Sequence, residues 1–360
     1  MGWIGLRDLE AEATKLLTPT IADYIAGGSD DEVTVKENEA AYSRISLVPR
    51  VLCGAGDPDL TIDLFGQRIS MPVLIAPTAF HRLVHDQGET ATARAALATD
   101  TIMIMSMAST ETIEKVAAAS EGRTWLQLYL QPDLSVMESF VRRAEDSGCK
   151  ALVITVDSPV FGRRERDVRN GFTDLPPGLI CENLRVPSNG EPESRVRSIA
   201  FSTKLSWQEV EWLRKNTQLK ILLKGIAHPD DARIAVECGV DGLIVSNHGG
   251  RQLDTVPATI ELLPAIIDEV GAKIPVLVDG GIRRGTDVVK ALAIGATAVA
   301  IGRPILWGLA IDGTAGVVKV LEALKVEVAR AIALCGCCST TDVGRSLLRF
   351  RHLGEPWSQS

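Results

Sequence analysis

Gly242-Leu243-Ile244-Val245-Ser246-Asn247-His248-Gly249-Gly250-Arg251-Gln252-Leu253-Asp254 changes character halfway along. Leu243, Ile244 and Val245 form a continuous apolar run, the pattern of a strand covered on both faces. The polar run that follows breaks it, and two glycines let the backbone turn tightly and approach a ligand. The polar residues therefore fall at the carboxyl end of a strand, where parallel α/β folds gather their chemistry. His248 can exchange a proton near neutral pH. Arg251 offers a planar fork of donors that matches a carboxylate. A solvated histidine or a surface ion pair would explain either residue alone. Together with the glycines and the strand exit, they favour a base beside an anion clamp.

Outward from this stretch the same unit recurs. Strands are expected at residues 73–76, 102–106, 125–129, 151–156, 221–224, 242–246, 276–279 and 298–301. Helical patterns lie between them at 89–98, 111–119, 136–147, 230–238, 260–270 and 287–294. About eight strand–helix units predict a single (β/α)8 TIM barrel rather than a doubly wound sheet. No Gly-x-Gly-x-x-Gly follows a strand into a helix, which removes support for a dinucleotide-binding sheet. The chain is read as one domain over 1–360, with its barrel core at 70–335. Residues 1–69 are expected to be a helical N-terminal segment. Leu6, Leu9, Ala13, Leu16 and Leu17 have helical spacing that Pro19 should stop, and a second helix should run from Ile21 to Ala26. Prolines 176, 177, 187 and 192 interrupt the stretch after the fourth strand. It predicts a long irregular loop over 173–204, a mobile lid on the face that carries the site.

The formal charge of −8 without a basic stripe argues against nucleic acid, so small anions must be drawn by local cations. The first residues become charged too early for a signal peptide, and no uninterrupted apolar run spans a bilayer. The last residues lack a Ser-Lys-Leu address. A cytoplasmic protein is expected, and no membrane partner. Seven cysteines, an odd number, fit reduced thiols. Cys335-Gly336-Cys337-Cys338 contains a C-x-x-C spacing, but no second pair or histidine cluster accompanies it. Buried thiols are expected there, and no metal.

Two glycine–arginine turns stand at the seventh and eighth strand ends: Asp279-Gly280-Gly281-Ile282-Arg283-Arg284 and Gly302-Arg303-Pro304. Barrels often bind phosphate there, through exposed N–H groups and added positive charge. An Asp279–Arg284 salt bridge would explain two of these residues but not both turns. Lys224 closes the fifth strand and should point into the barrel mouth. Gln127 and Tyr129 share one face of the third strand.

Ser246–Asp254 closely resembles the S-N-H-G-G/A-R-Q-L-D signature of the FMN-dependent L-2-hydroxy-acid oxidase and dehydrogenase family. Asp23-Tyr24-Ile25-Ala26-Gly27-Gly28-Ser29-Asp30 resembles that family's N-terminal motif, and the likeness runs from about Asp23 to about Gly336. The resemblance implies FMN as cofactor. It assigns Asp279, Gly281, Arg283, Gly302 and Arg303 to the ribityl-phosphate. Pro77, Thr78 and Ala79 would pass beside the reactive flavin nitrogen, and Ser106, Gln127, Thr155 and Ser246 would meet the ring. Lys224 would stabilise the reduced anion. Thr155-Val156-Asp157-Ser158-Pro159 with Gly162-Arg163-Arg164-Glu165 resembles the fourth-strand motif. Asp157 should pair with His248 and stabilise its imidazolium. Arg251, Arg164 and Tyr24 would hold the substrate carboxylate, leaving Arg163 at the surface. Tyr129 would bond the developing oxyanion or hydroxyl.

The implied reaction converts an L-2-hydroxy acid to a 2-oxo acid. The likeness departs at the substrate wall, where Ala108 stands in place of the tryptophan of plant-type glycolate oxidases. Phe161 would refill part of that space. Lactate or a bulkier aliphatic or aromatic 2-hydroxy acid is expected over glycolate. The lid is not apolar enough for the anchor of the membrane-bound mandelate dehydrogenases, and no haem-binding domain precedes the barrel. Dioxygen is therefore the expected acceptor, hydrogen peroxide the product, and the family implies a tetramer. Rival readings are a quinone- or cytochrome-linked dehydrogenase, a lactate monooxygenase, and a non-catalytic phosphate- or nucleotide-binding barrel. The last has no use for a base beside a carboxylate clamp.

Overall fold

The computed structural model describes residues 3–186, 195–196 and 198–351. Eight parallel strands close into a barrel: β1 (Val73–Ile75), β2 (Met103–Ser106), β3 (Thr124–Tyr129), β4 (Ala151–Thr155), β5 (Lys220–Ile226), β6 (Gly242–Val245), β7 (Val276–Asp279) and β8 (Ala298–Ile301). They pair in chain order, and β8 returns to β1. Helices α1 (Gly88–Ala98), α2 (Ile113–Ser120), α3 (Leu134–Asp146), α4 (Trp207–Asn216), α5 (Pro229–Glu237), α6 (Thr259–Val270), α7 (Gly285–Ile294) and α8 (Arg303–Leu334) follow the strands in turn. The expected (β/α)8 barrel is the fold. Its strands are apolar runs because both faces are covered: helices lie outside, and Leu74, Ile104, Trp125, Val153, Leu222, Ile244 and Leu277 fill the interior.

A hairpin of Ile62–Leu64 and Gln67–Ile69 seals the lower end. Leu64 and Ile69 join the interior cluster, and the Trp125 indole donates to Gln67 Oε1 at 2.7 Å. Polar groups and a cavity are left to the upper end, at the carboxyl ends of the strands.

Three expectations are corrected. The first 69 residues are not wholly helical: after Leu9–Thr14, Pro19–Ala26 and Val33–Ala40, strand Ile45–Leu47 pairs antiparallel with Leu348–Phe350, and the hairpin follows. Pro19 does not stop a helix but opens one, as its first residue, with the Thr18 hydroxyl accepting the Ile21 N–H at 3.4 Å. Its missing N–H would have had no partner in that first turn anyway. The 173–204 stretch is not structureless: a 3₁₀ turn, Glu182–Leu184, leads into an antiparallel pair of Arg185–Val186 with Arg195–Val196. Pro187 and Pro192 lie outside the described residues. Among the described residues one helix, α8, is long and apolar enough to cross a membrane. It is bent, however, at Asp312 and Gly313, and packs Ile305, Leu309, Val317, Val320 and Leu324 into the core.

Candidate active site

Beyond β6, residues His248, Gly249 and Gly250 take φ of +58°, +65° and +73°. This left-handed run turns the chain back across the barrel mouth. Glycine adopts it freely, and at Gly250 a Cβ would come 2.7 Å from Val35 Cγ2 of the N-terminal segment. For His248 the same conformation costs about 1–2 kcal/mol. The surroundings hold it there. His248 Nδ1 lies 2.8 Å from Asp157 Oδ1, and Nε2 lies 3.4 Å from the Tyr129 hydroxyl. Burial raises the Asp157 carboxyl, but the charge and hydrogen bond of His248, with Lys224 beyond, outweigh it and hold it below the usual carboxylate range. A carboxylate only accepts, so Nδ1 carries a proton, and in the neutral ring Nε2 is left with the lone pair. Asp157 stands behind the histidine, outside the cavity wall.

Arg251 and Arg164 face the same cavity. Arg251 Nη1 donates to the Tyr24 and Gly27 carbonyls at 2.7 and 3.1 Å, and its guanidinium lies 4.9 Å from the centre of the Tyr24 ring. Arg164 stacks on Phe161 at 4.2 Å; its Nε is buried without a hydrogen bond, 3.5 Å from Asp167. Burial, and then repulsion from Arg251, push the Arg164 guanidinium down to about 10. Two mutually repelling cations at one cavity form a site that an anion would relieve. Arg163 is exposed.

At the opposite end, buried Lys224 donates to Ser246 Oγ at 2.8 Å and lies 3.3 Å from Asp279 Oδ2. Asp279 therefore pairs with Lys224, while Arg284 pairs with Glu327 at 2.9 Å. Ser246 is not at the cavity surface as expected: its hydroxyl sits beneath, taking both the lysine and the His248 N–H at 3.1 Å. Gln127 donates to Thr155 Oγ1 at 3.0 Å. Both line one cavity of about 220 Å³ with Pro77, Thr78, Ala79, Ser106, Ala108, Gly281, Arg283, Gly302 and Arg303. Arg283 is held by the Ile282 carbonyl and Glu39, over the Trp307 ring. Arg303 is half-buried, and desolvation, then Arg251 and Arg283, bring its guanidinium down to about 9. It donates to the carbonyls of Ile25, Gly27 and Gly249 at 2.9–3.0 Å. The residue expected to hold phosphate thus also ties the N-terminal segment to the histidine loop.

Several lining residues carried no sequence signal. Phe201, near the end of the 173–204 stretch, packs edge-on to Tyr129 at 5.3 Å and lies 5.8 Å from Phe161. Ile199, Phe80 and Ile25 add apolar wall. Gln252 accepts the Gly162 N–H at 2.9 Å and donates to the Val160 carbonyl at 2.9 Å, joining the loops after β4 and β6. Isolated aromatics in loops have no period to reveal them.

The model of the family described as FMN-dependent dehydrogenase matches residues 13–350. A peroxisomal (S)-2-hydroxy-acid oxidase of Oryza sativa subsp. japonica is 46% identical over 348 residues, covering 95% of either chain. 2-Hydroxyacid oxidase 1 of Homo sapiens is 45% identical over 361 residues, covering 97% of either chain. Glycolate oxidase of Spinacia oleracea is 44% identical, covering 98% of this chain and 96% of its own. Among solved structures, mandelate oxidase with benzoyl-formic acid superposes with a TM-score of 0.88 at 43% identity, over 95% of this chain and 97% of that one. The chain belongs to the FMN-dependent dehydrogenase family, as a flavin-dependent oxidoreductase of its 2-hydroxy-acid oxidases, and FMN is its cofactor. The cavity fits that group. Asp279 Oδ1 is a buried acceptor without a partner, ready for a hydroxyl donor. Arg283, Arg303 and the start of α8 at Gly302 supply positive charge for a phosphate.

Proposed function

We propose that the protein oxidises an L-2-hydroxy acid with an aliphatic or aromatic side chain to the 2-oxo acid, with dioxygen as electron acceptor and hydrogen peroxide as product. The observation that carries this reading is the pairing of two repelling arginines with an Asp-oriented histidine at one cavity. Arg251 and Arg164, with Tyr24, hold the carboxylate. His248 Nε2 takes the proton released as the substrate is oxidised, and Asp157 stabilises the imidazolium so formed. Tyr129 donates to the substrate oxygen. Bound FMN would supply the two-electron redox chemistry between substrate and dioxygen. Asp279, Gly281, Arg283, Gly302 and Arg303 would hold its ribityl-phosphate; Pro77, Thr78, Ala79, Ser106, Gln127, Thr155 and Lys224 would meet its ring.

Side-chain preference follows from the walls. Ala108 leaves space, and Phe161, Phe201 and Ile199 make it apolar. One methylene in such a pocket is worth about 1–3 kcal/mol, so L-lactate should exceed glycolate at least several-fold in kcat/KM. The likeness to mandelate oxidase supports an aromatic substrate as well.

The test is an anaerobic flavin titration of the purified holoprotein with glycolate, L-lactate and (S)-mandelate, followed by air. Bleaching, rapid recovery and peroxide release are expected, fastest with the larger acids. Highest kcat/KM with glycolate would overturn the size reading. Slow recovery in air would overturn the oxidase reading in favour of a quinone- or cytochrome-linked dehydrogenase.

A further inference from the structure

Behind the β1 wall of the cavity lies a buried histidine that the reaction above leaves unused. His81 is fully buried. Its Nε2 is 2.8 Å from the hydroxyl of Thr78, which lines the cavity, and its Nδ1 is 2.9 Å from the hydroxyl of Thr92 on α1. The arrangement is held firmly. Buried Glu89 accepts the His81 N–H at 3.0 Å, and the Thr110 N–H and hydroxyl at 2.9 and 2.7 Å. Phe80 adopts φ of +63°, an unfavourable value for an aromatic residue, and so folds the chain back until His81 meets Thr78. Glu89 and Glu111 are the charged groups that face this ring. Burial lowers the imidazole and outweighs their pull, so the ring is neutral.

A neutral imidazole has one donor and one acceptor. With the proton on Nδ1, the ring donates to Thr92 and accepts the Thr78 hydroxyl proton, which leaves Thr78 with lone pairs toward the cavity. With the proton on Nε2, the ring donates to Thr78, whose own proton is freed to point into the cavity. Threonine hydroxyls can take either part, so both ring nitrogens are satisfied in either state. We infer that His81 is a positioning residue, fixing the Thr78 hydroxyl at the flavin wall and setting whether it offers a donor or an acceptor there. The inference rests on the reading of this cavity as the FMN site.

Thr92→Val tests it, because it removes the far partner of the ring without touching the cavity. FMN itself is the probe: its dissociation constant from the apoprotein, by fluorescence quenching, and its visible absorption bands in the holoprotein. We expect Thr92→Val to weaken FMN about fivefold, the scale of one hydrogen bond, and to shift the bands in the same direction as Thr78→Val. In the Thr78→Val background Thr92→Val should add nothing, since the relay ends at that hydroxyl. Independent, additive effects would overturn the inference, as would an unchanged dissociation constant and spectrum in either single variant. Lys224→Met separates the two levels. If it alters FMN binding while the threonine variants do not, the inference alone falls; if it too is silent, the cavity assignment falls with it.

Discussion

Arg164 shows how little separates a structural from a functional residue. Burial and the neighbouring Arg251 bring its guanidinium down to about 10, whereas an ordinary one stays charged beyond pH 12. Charge on Arg164 is present below that value and lost as pH rises through it. Substrate affinity should therefore fall on the alkaline side, with KM for L-lactate rising between about pH 9 and 11 and kcat changing less. Replacing Arg251 by Met removes the repulsion, so this limb should move to higher pH even as overall affinity drops. A KM that stays flat across the range would remove Arg164 from the clamp. The place of His248 and Lys224 at the cavity was legible in the sequence because strand ends aim whatever they carry at the barrel mouth. The carbonyl-holding duty of Arg303 and the place of Ser246 beneath Lys224 were not, since both depend on segments far away in the chain. Phe201 left no trace for the same reason.

At the scale of elements, the barrel strands were legible because helices outside and side chains inside make them apolar on both faces. Three-residue elements were not. Gln67–Ile69 and Ile45–Leu47 are too short to show a period, and they are held by what they pair with. Pro19 was ambiguous in itself, since proline suits both the end of one helix and the first turn of the next. The bend in α8 has a sharp requirement. Gly313 adopts φ of +51°, and a Cβ there would meet His85 Nε2 at 2.8 Å. Gly313→Ala should cost about 1–3 kcal/mol and lower the melting temperature by a few degrees, with kcat retained because the cavity is at the other end of that half-helix. An unchanged melting curve would mean the bend is not held by this glycine.

The whole molecule is closed by its ends. Asn38 and Asn247 exchange amide hydrogen bonds at 2.9 and 2.8 Å, and Asp254 accepts the Thr34 and Val33 N–H groups at 2.8 and 3.2 Å. Together with Arg251 and Arg303 these contacts seat Tyr24 in the cavity. Asp254→Ala leaves the buried Thr34 N–H unpaired, at about 1–3 kcal/mol, and frees the more exposed Val33 N–H, so it should loosen that segment without opening the barrel. KM should rise and proteolysis near Val33 quicken, while FMN affinity changes little; unchanged KM would show that the segment seats itself by other means. The bond from Arg303 to the Ile25 carbonyl spans 278 residues of chain. At roughly 5–20 residues per second of synthesis, the segment bearing Tyr24 leaves the ribosome on the order of 10–60 s before the arginine that receives it exists. During that interval Ile25 and Tyr24, both buried in the finished protein, have no partner to cover them. The growing chain therefore exposes this tyrosine to chaperones well before the cavity it lines has formed.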